Sequence, residues 1–165
     1  MSNENKPHEG HPLFHVAGIV TVVQFVLIFF FSDPKVPALF YTGWGIWIVS
    51  LVLGWLPIHT LRKKGNVPEG ESYVKTKAVV DTGVYRFVRH PQYTGLMLFN
   101  VSLMLITQHW LVGVVGVISI ILAYASTLQE DQALVRKFGN DYKKYMEDVP
   151  RTNVLLGIYR RLSRP

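Results

Sequence analysis

Charged residues are scarce in this sequence, and cysteine is absent. Only 17% of the 165 residues are charged, whereas 49% are hydrophobic, and much of the apolar content lies in long runs. Without cysteine, the chain can form neither a disulfide nor a thiolate metal site. So little charge combined with long apolar runs is unlike an ordinary soluble domain and is typical of a membrane protein.

Several common ligand-binding patterns are missing as well. No Gly-rich phosphate loop follows a strand, the polar part of the chain is too short for a Rossmann unit, and no pair of histidines indicates a metal site. The net charge of +6 could indicate nucleic-acid binding, but the basic residues flank the apolar runs and form no single soluble face. We therefore predict no metal site and no nucleic-acid partner.

Four apolar segments predict an all-α integral membrane protein. The first, residues 13–31, has about 19 residues, which match the ~30 Å hydrocarbon core of a bilayer. It is too long for a signal-peptide core and no small-residue cleavage site follows it, so we expect a retained span. The second segment covers residues 39–61. Residues 93–106 and 110–127 predict a helical hairpin that turns at Thr107, Gln108 and His109.

Polar chain separates the second span from the hairpin and also follows the hairpin. Within residues 62–88, the piece 73–80 alternates like a short strand, and a loop lying over the membrane face is an equal alternative. From residue 128 onward, apolar residues recur at helical spacing with a break at Gly139 and Asn140. This pattern predicts an amphipathic helix that rests on the membrane or on the polar segment. The basic final residues, 160–165, are expected to fray.

The distribution of lysine and arginine predicts the orientation in the membrane. Of the 17, seven lie in residues 62–89 and eight in residues 136–164, whereas the turn after the first span has only Lys35 and the hairpin turn has none. Basic residues accumulate on the cytoplasmic side of membrane proteins. We therefore expect both termini and the polar segment in the cytoplasm, with the candidate site facing the same side, where soluble cofactors are.

Two polar clusters at the predicted membrane boundaries could carry chemistry. They are Tyr85, Arg89, His90 and Tyr93 on one side and Glu130 with Asp131 on the other. Because a carboxylate at such a boundary is costly to desolvate unless it is paired, one interpretation is an ion pair between Arg89 and Glu130. The other is a pocket for a zwitterionic ligand, with Glu130 receiving an ammonium group and the Arg89 side receiving a carboxylate. Residue types alone leave both interpretations open.

Longer motifs around these clusters favour the pocket. Gly83-Val84-Tyr85 with Arg89-His90-Pro91-Gln92-Tyr93-Thr94-Gly95 resembles a motif of the membrane methyltransferases typified by isoprenylcysteine carboxyl methyltransferase, to which the phosphatidylethanolamine methyltransferases are related. That family's acidic pair and the helix after it are similar to Glu130-Asp131, Leu134, Phe138-Gly139, Tyr142, Tyr145 and Val149-Pro150-Arg151. The resemblance covers about residues 77–151, and the first two spans match only in being apolar.

The resemblance implies a function and a site. Members of this family hold S-adenosylmethionine between the hairpin and the C-terminal segment, without a Rossmann fold. The chain accordingly divides into an N-terminal two-span region, residues 1–61, predicted from its apolar runs, and a catalytic region, residues 62–165. The resemblance implies a lipophilic methyl acceptor and membrane lipid as partners. Arg89 and Glu130 become the candidate catalytic residues. The implied cofactor contacts are Lys77, Ala78, Val79, Val80, Tyr85, His90, Pro91, Gln92, Tyr93 and Glu130.

The acceptor half of the site departs from the family pattern. Four residues before the glutamate, where the carboxyl methyltransferases have an arginine assigned to substrate, this chain has Ser126, so a prenylcysteine carboxylate would lack that partner. Arg151 and His59 are further candidates for lining the pocket. Two other functions stay open: a membrane reductase of the sterol-reductase type that uses NADPH, and a small membrane scaffold or transporter subunit.

Overall fold

The computed structural model describes residues 12–65, 70 and 76–163, and every regular element within these ranges is helical. In chain order the elements are α1 (Pro12–Leu27), α2 (Pro37–Lys64), a 3-10 turn (Gly83–Arg86), α3 (Pro91–Thr107), α4 (Trp110–Phe138), α5 (Asn140–Asp148) and α6 (Val154–Leu162). The prediction of an all-α protein is confirmed for these residues. The strand alternative for residues 73–80 is wrong over residues 76–80, which form no strand. Residues 73–75 lie outside the described ranges.

The apolar runs form helices whose ends differ from the prediction. α1 ends at Leu27, and α4 continues past residue 127 to Phe138 because charged residues do not end a helix. Gly139, with φ 60° and ψ −129°, ends α4. The expected fraying of the C-terminal residues is wrong for residues 160–162, which belong to α6. That helix begins where the side chain of Asn153 accepts a hydrogen bond from the main-chain N–H of Leu156, at 2.9 Å.

Helices α2 and α3 approach each other closely through glycine. A Cβ atom added to Gly95 would lie 3.0 Å from the carbonyl oxygen of Ser50 and 3.1 Å from the main-chain nitrogen of Gly54. At Gly43 the added atom would lie 2.8 Å from the side chain of Ile106. Because α3 begins at Pro91, this close contact fixes where the first turn of α3 lies relative to α2.

A buried polar group joins α1 to α3 and α4. The side-chain amide of Gln24 donates to the carbonyl oxygens of Asn100 and Val112, both at 3.2 Å. The Thr21 hydroxyl lies 2.7 Å from that of Ser119 and accepts a hydrogen bond from the Asn100 amide at 3.1 Å. Since buried polar groups need such partners, these bonds hold α1 in one position against the other two helices.

The turns after α1 and α3 meet at one end of the helix bundle. Gln108 ends α3 in a left-handed conformation, with φ 51°. Its side-chain oxygen accepts from the main-chain N–H groups of Lys35 (3.1 Å) and Val36 (2.8 Å), and its amide donates to the Val36 carbonyl (2.9 Å). The segment before α3, with its arginines, histidine and tyrosines, lies at the opposite end.

Two of the described helices, α2 and α4, are long and apolar enough to cross a membrane. α1 is also apolar but has 16 residues. Large apolar side chains of α2 are exposed, including Ile48 at 59% and Trp55 at 77% of their surface. Contiguous exposed apolar surface of this kind is unusual in a soluble monomer and is typical of a membrane or protein contact.

Candidate functional site

The segment before α3 is held by an apolar cluster and by two main-chain hydrogen bonds. The cluster consists of Leu53, Val80, Val84, Tyr85 and Val88. The main-chain N–H groups of Arg89 and His90 donate to the carbonyl oxygens of Pro150 and Arg151, both at 3.0 Å. These contacts bring the segment before α3 together with the chain that follows α5.

Asp131 of α4 is the common acceptor for four side chains. Its Oδ1 accepts from the Arg89 guanidinium at 2.9 Å and lies 2.8 Å from His90 Nε2. The same oxygen accepts from the Tyr142 hydroxyl, and Oδ2 accepts from Arg151 Nε, both at 2.8 Å. Asp131 and Arg89 are almost completely buried, with 4% and 7% of their side-chain surface exposed. We call these five residues the Asp131 cluster.

Glu130, the neighbouring carboxylate, has a different partner. It accepts a hydrogen bond from the hydroxyl of Tyr93. Of the two interpretations of the polar clusters, the ion pair between Arg89 and Glu130 is therefore wrong, since Arg89 pairs with Asp131. Successive residues of an α-helix point about 100° apart, so two adjacent carboxylates face different groups. The Tyr93 ring also packs against Phe14 of α1, with ring centroids 4.7 Å apart.

Two tyrosines of α5 cover the site. Tyr142 donates to Asp131, and Tyr145 donates to the main-chain carbonyl of Tyr85 at 2.6 Å. Burial raises the pKa of the Tyr142 phenol well above its usual value, and the nearby Asp131 carboxylate raises it further. Burial likewise raises the pKa of Tyr145. Both hydroxyls are therefore neutral hydrogen-bond donors at physiological pH.

The elements described above surround a cavity of about 680 Å³, counting its open mouth. Small-molecule sites commonly have mostly apolar walls with a few placed polar groups. This cavity has that character, because aromatic and aliphatic side chains surround one carboxylate and one guanidinium. Its wall consists of Leu61, Thr76, Ala78, Val79, Val80, Tyr85, Arg89, His90, Pro91, Gln92, Tyr93, Glu130, Leu134, Phe138, Tyr142 and Tyr145.

The structure brings all but one of the residues selected as catalytic or cofactor-binding into this wall. These are Ala78, Val79, Val80, Tyr85, Arg89, His90, Pro91, Gln92, Tyr93 and Glu130. Lys77 is the exception: its side chain is exposed and lines a wider cleft on the other side of the same segment. A cationic side chain stays in water there, whereas its apolar neighbours are partly buried.

Three further residues selected from the sequence lie outside the cavity wall. Arg151 binds Asp131 and also donates to the hydroxyl of Tyr124 at 3.4 Å. His59 is exposed on α2. Ser126 is buried and donates to the carbonyl of Leu122 at 2.8 Å, so its hydroxyl is used within α4. Neither Arg151 nor His59 thus lines the pocket as expected.

Sequence reasoning did not assign six of the wall residues to the site. They are Leu61, Thr76, Leu134, Phe138, Tyr142 and Tyr145. A usable signal was present, because Leu134 and Phe138 follow Glu130 at intervals of four residues and therefore share its helix face. No such signal in the sequence indicated the role of Asp131, because its four hydrogen-bond partners are separated from it in the chain.

Comparisons with known proteins agree with the motifs. A protein-S-isoprenylcysteine O-methyltransferase of Dictyostelium discoideum is 24% identical over 144 residues, which cover 84% of this chain. The chain spans 59% of the length of that relative. The model of the phospholipid methyltransferase family matches residues 38–141, which include α2, α3, α4, Glu130 and the Arg89 segment. Because the match covers more than half of the chain, the protein belongs to the phospholipid methyltransferase family.

Proposed function

We propose that this protein transfers a methyl group from S-adenosylmethionine to a lipophilic acceptor in a membrane. The observation that carries the proposal is the cavity in which Glu130, the Arg89 guanidinium, Tyr85 and Tyr93 come together, all within the residues matched by the family model. The Dictyostelium relative is named for O-methylation of protein S-isoprenylcysteine. From this relative we infer only the class of acceptor, namely one that is linked to a lipid, and not the particular substrate.

The groups in the cavity fit the two ends of S-adenosylmethionine. Glu130 offers a carboxylate to the ammonium group of the ligand. The Arg89 Nε–H is buried and has no hydrogen-bond partner among the described residues, so a ligand carboxylate would satisfy it. The faces of Tyr85 and Tyr93 can stack on adenine or contact a sulfonium cation. Lys77, which faces the other cleft, is not included in this site.

When bound, the cofactor supplies an electrophilic methyl group on a sulfonium sulfur. The chain contributes orientation and the exclusion of water, and acid–base help is small when the acceptor is already nucleophilic. Asp131 acts as a positioning residue, because it holds Arg89 and His90 in one place. Tyr93 orients Glu130 through its hydroxyl. Arg89 and Glu130 then bind the cofactor's charged ends.

Helices α1 to α4 are proposed as four membrane spans, with both chain ends and the cavity at the cytoplasmic face. Three features support this topology: the exposed apolar side chains of α2, such as Ile48 and Trp55, the meeting of the two turns at one end, and the basic residues Arg62, Lys63 and Lys64 at the other end. The α1 helix needs the apolar residues after Leu27 to reach across a bilayer.

The acceptor is proposed to be lipophilic and to differ from a prenylcysteine carboxylate. Ser126 stands where the carboxyl methyltransferases have the substrate arginine, and its hydroxyl is bonded to Leu122 within α4. A carboxylate acceptor would therefore meet no cation at this position. An amine, thiol or hydroxyl of a membrane lipid needs no such partner.

Titration of S-adenosylmethionine into the detergent-purified protein tests the proposed cofactor site. Glu130→Gln removes the negative charge and keeps the shape, so we expect roughly 10-fold to 100-fold weaker binding by calorimetry, the value of a hydrogen bond to a charged group. Glu147→Gln is the matched control, because Glu147 is exposed on α5 and lies outside the cavity wall.

Two results would contradict the proposal. Equal affinities of the wild type, Glu130→Gln and Glu147→Gln would remove Glu130 from the site. Binding of NADPH in place of S-adenosylmethionine would instead favour a reductase of the sterol-reductase type. Methyl transfer itself is tested by incubating the protein with labelled cofactor and a membrane lipid extract and identifying the labelled product by mass spectrometry.

A further inference from the structure

Helix α6 carries an apolar stripe that points away from the rest of the protein. Leu155, Tyr159 and Leu162 are 79%, 67% and 81% exposed, respectively. Their spacing of four and three residues places them on one face of the helix. Three large exposed apolar side chains on a nine-residue helix need a partner, because water is a poor environment for them.

The opposite side of α6 is fixed to the protein. A Cβ atom added to Gly157 would overlap the main-chain carbonyl of Phe87, so the helix backbone rests directly on the segment before α3. Val154 packs against the apolar cluster that contains Val84 and Val88. The outward direction of the stripe is thus set by the fold, and α6 is not a loose tail.

The position of α6 along the bundle is fixed as well. Just before α6, the carbonyl oxygens of Pro150 and Arg151 accept hydrogen bonds from Arg89 and His90, which directly precede α3. Leu61, in the last turns of α2, packs against the same apolar cluster as Val154. Helix α6 therefore lies at the level where α2 ends and α3 begins, which is the headgroup level in the proposed topology.

The charge beside the stripe favours a negatively charged partner. Arg160 and Arg161 end α6 and line a cleft of about 1590 Å³ between α6, α5 and the segment before α3. The cleft is also lined by the basic residues Lys77, Arg86 and Lys144 and by the acidic residues Asp81, Asp141 and Asp148. Basic residues exceed acidic ones at this edge of the molecule. Anionic lipid headgroups attract such surfaces by about 1 kcal/mol for each lysine or arginine near the bilayer.

We propose that α6 lies in the plane of the membrane surface and docks onto anionic phospholipid. Leu155, Tyr159 and Leu162 then enter the boundary of the acyl chains, and Arg160 and Arg161 lie among the headgroups. The inference rests on the proposed membrane topology. Because Arg151 holds Asp131 and precedes α6 closely, the docked helix also fixes this part of the Asp131 cluster at the membrane surface.

The absence of cysteine from the 165 residues allows a direct test with the whole chain. Single cysteines replace Leu155 or Leu162 on the stripe, Lys143 on the exposed side of α5, and Ile48 in the middle of α2. Each variant is labelled with an environment-sensitive fluorophore and reconstituted into vesicles of phosphatidylcholine alone or mixed with phosphatidylglycerol. Phospholipids with a nitroxide near the headgroup end or deep in the acyl chain serve as quenchers.

We expect the shallow nitroxide to quench labels at positions 155 and 162 in vesicles with phosphatidylglycerol, and the deep nitroxide to quench the label at 48. The label at 143 should stay unquenched. Changing Arg160 and Arg161 to Gln should weaken docking on the order of 30-fold, from about 1 kcal/mol for each charge, in the anionic vesicles only.

The outcomes separate this proposal from the one on which it rests. An unquenched label at 48 would contradict the membrane topology. A quenched label at 48 with unquenched labels at 155 and 162 would overturn the docking of α6 alone. A blue-shifted label at 155 that responds to protein concentration and not to the nitroxides would show that a second copy covers the stripe, which would also overturn the proposal.

Discussion

At the scale of single residues, the two adjacent carboxylates of α4 have different tasks. Asp131 has two arginines, a histidine and a tyrosine around it and is almost completely buried, whereas Glu130 has Tyr93 as a hydrogen-bond partner and lines the cavity. A buried carboxylate with this many partners stabilises the fold, and a carboxylate in the cavity wall is free to meet a ligand. Substitutions at the two positions should therefore affect different properties.

Asp131→Asn should lower the free energy of unfolding by about 3–5 kcal/mol, because it leaves the buried Arg89 guanidinium without its counter-charge. Thermal unfolding of the detergent-purified variants measures the effect. Glu130→Gln is the matched control and should change the stability by less than about 1 kcal/mol. An equal loss of stability in both variants would contradict this division between the two carboxylates.

Tyr142→Phe should cost about 1–3 kcal/mol of stability at neutral pH, since Asp131 loses one of its donors in a buried site. The pKa of Tyr142 is raised in the folded protein by burial and by Asp131. The contribution of the hydroxyl is thus complete below pH ~10, the ordinary tyrosine pKa in the unfolded chain, and is lost as the pH rises toward the higher folded value.

Unfolding of wild type and Tyr142→Phe at a series of pH values checks this dependence. The difference between them should be constant from neutral pH to about 10 and shrink above it. Tyr159→Phe, at an exposed position of α6, should behave like the wild type throughout. A difference that stays constant well above pH 10 would mean that Tyr142 has the same pKa in the folded and the unfolded chain, like an exposed tyrosine.

The sequence could predict most of the residues that form the cavity wall. It gave less information about which of them form hydrogen bonds or ion pairs with each other. Tyr85, His90 and Tyr93 stand close together in the chain and surround a helix start, so their shared location follows from local order. The choice of Asp131 over Glu130 as the partner of Arg89 depends on the rotation of α4, which is set by its packing along its whole length.

At the scale of helices, the close contact of α2 and α3 supports the site. Gly95→Ala would place a methyl group about 3 Å from the main chain of Ser50 and Gly54, so the helices must separate, at a cost of about 1–3 kcal/mol. The start of α3 carries His90 and Tyr93, so we expect weaker binding of S-adenosylmethionine together with a lower unfolding temperature.

Gly45→Ala provides the comparison for this prediction. No atom lies within 4 Å of a Cβ added to Gly45, so alanine there should be neutral or stabilise α2 by up to ~1 kcal/mol through its better helix propensity. Calorimetric titration and thermal unfolding of both variants measure the two effects. Unchanged affinity and stability in Gly95→Ala would show that the contact does not hold the site in place.

The helices themselves could be predicted from apolar runs, and their ends could not. Charged residues return after Thr127, yet α4 continues to Phe138 because nothing before Gly139 interrupts the helical hydrogen bonds. Helix α6 was missed because its sequence is short and basic. It depends on the cap at Asn153 and on the contact of Gly157 with Phe87, which is remote in sequence.

At the scale of the whole molecule, the match to the family model separates the middle of the chain from its two ends. The family model covers residues 38–141, which hold α2 to α4 and most of the cavity wall. α1 and α6 lie outside it and contact the site from two sides, α1 through Phe14 on Tyr93 and α6 through the segment of Phe87. Composition predicted an apolar first span, but not that it reaches Tyr93.

The proposed topology leads to a prediction about labelling from the two sides of a membrane. Lys35 lies in the turn that meets Gln108, and Lys143 lies on the exposed side of α5 near the opposite end. In the cysteine-free chain, a cysteine in place of Lys35 should react with a membrane-impermeant maleimide added to intact cells. A cysteine in place of Lys143 should react only after the cytoplasmic side is opened.

The physical reason for this orientation is that most lysines and arginines lie at the Lys143 end of the helix bundle, and such charges resist transfer across the bilayer. Reaction of both cysteines from the same side would mean that the chain crosses the membrane an even number of times between them, which would contradict the proposed three spans α2, α3 and α4.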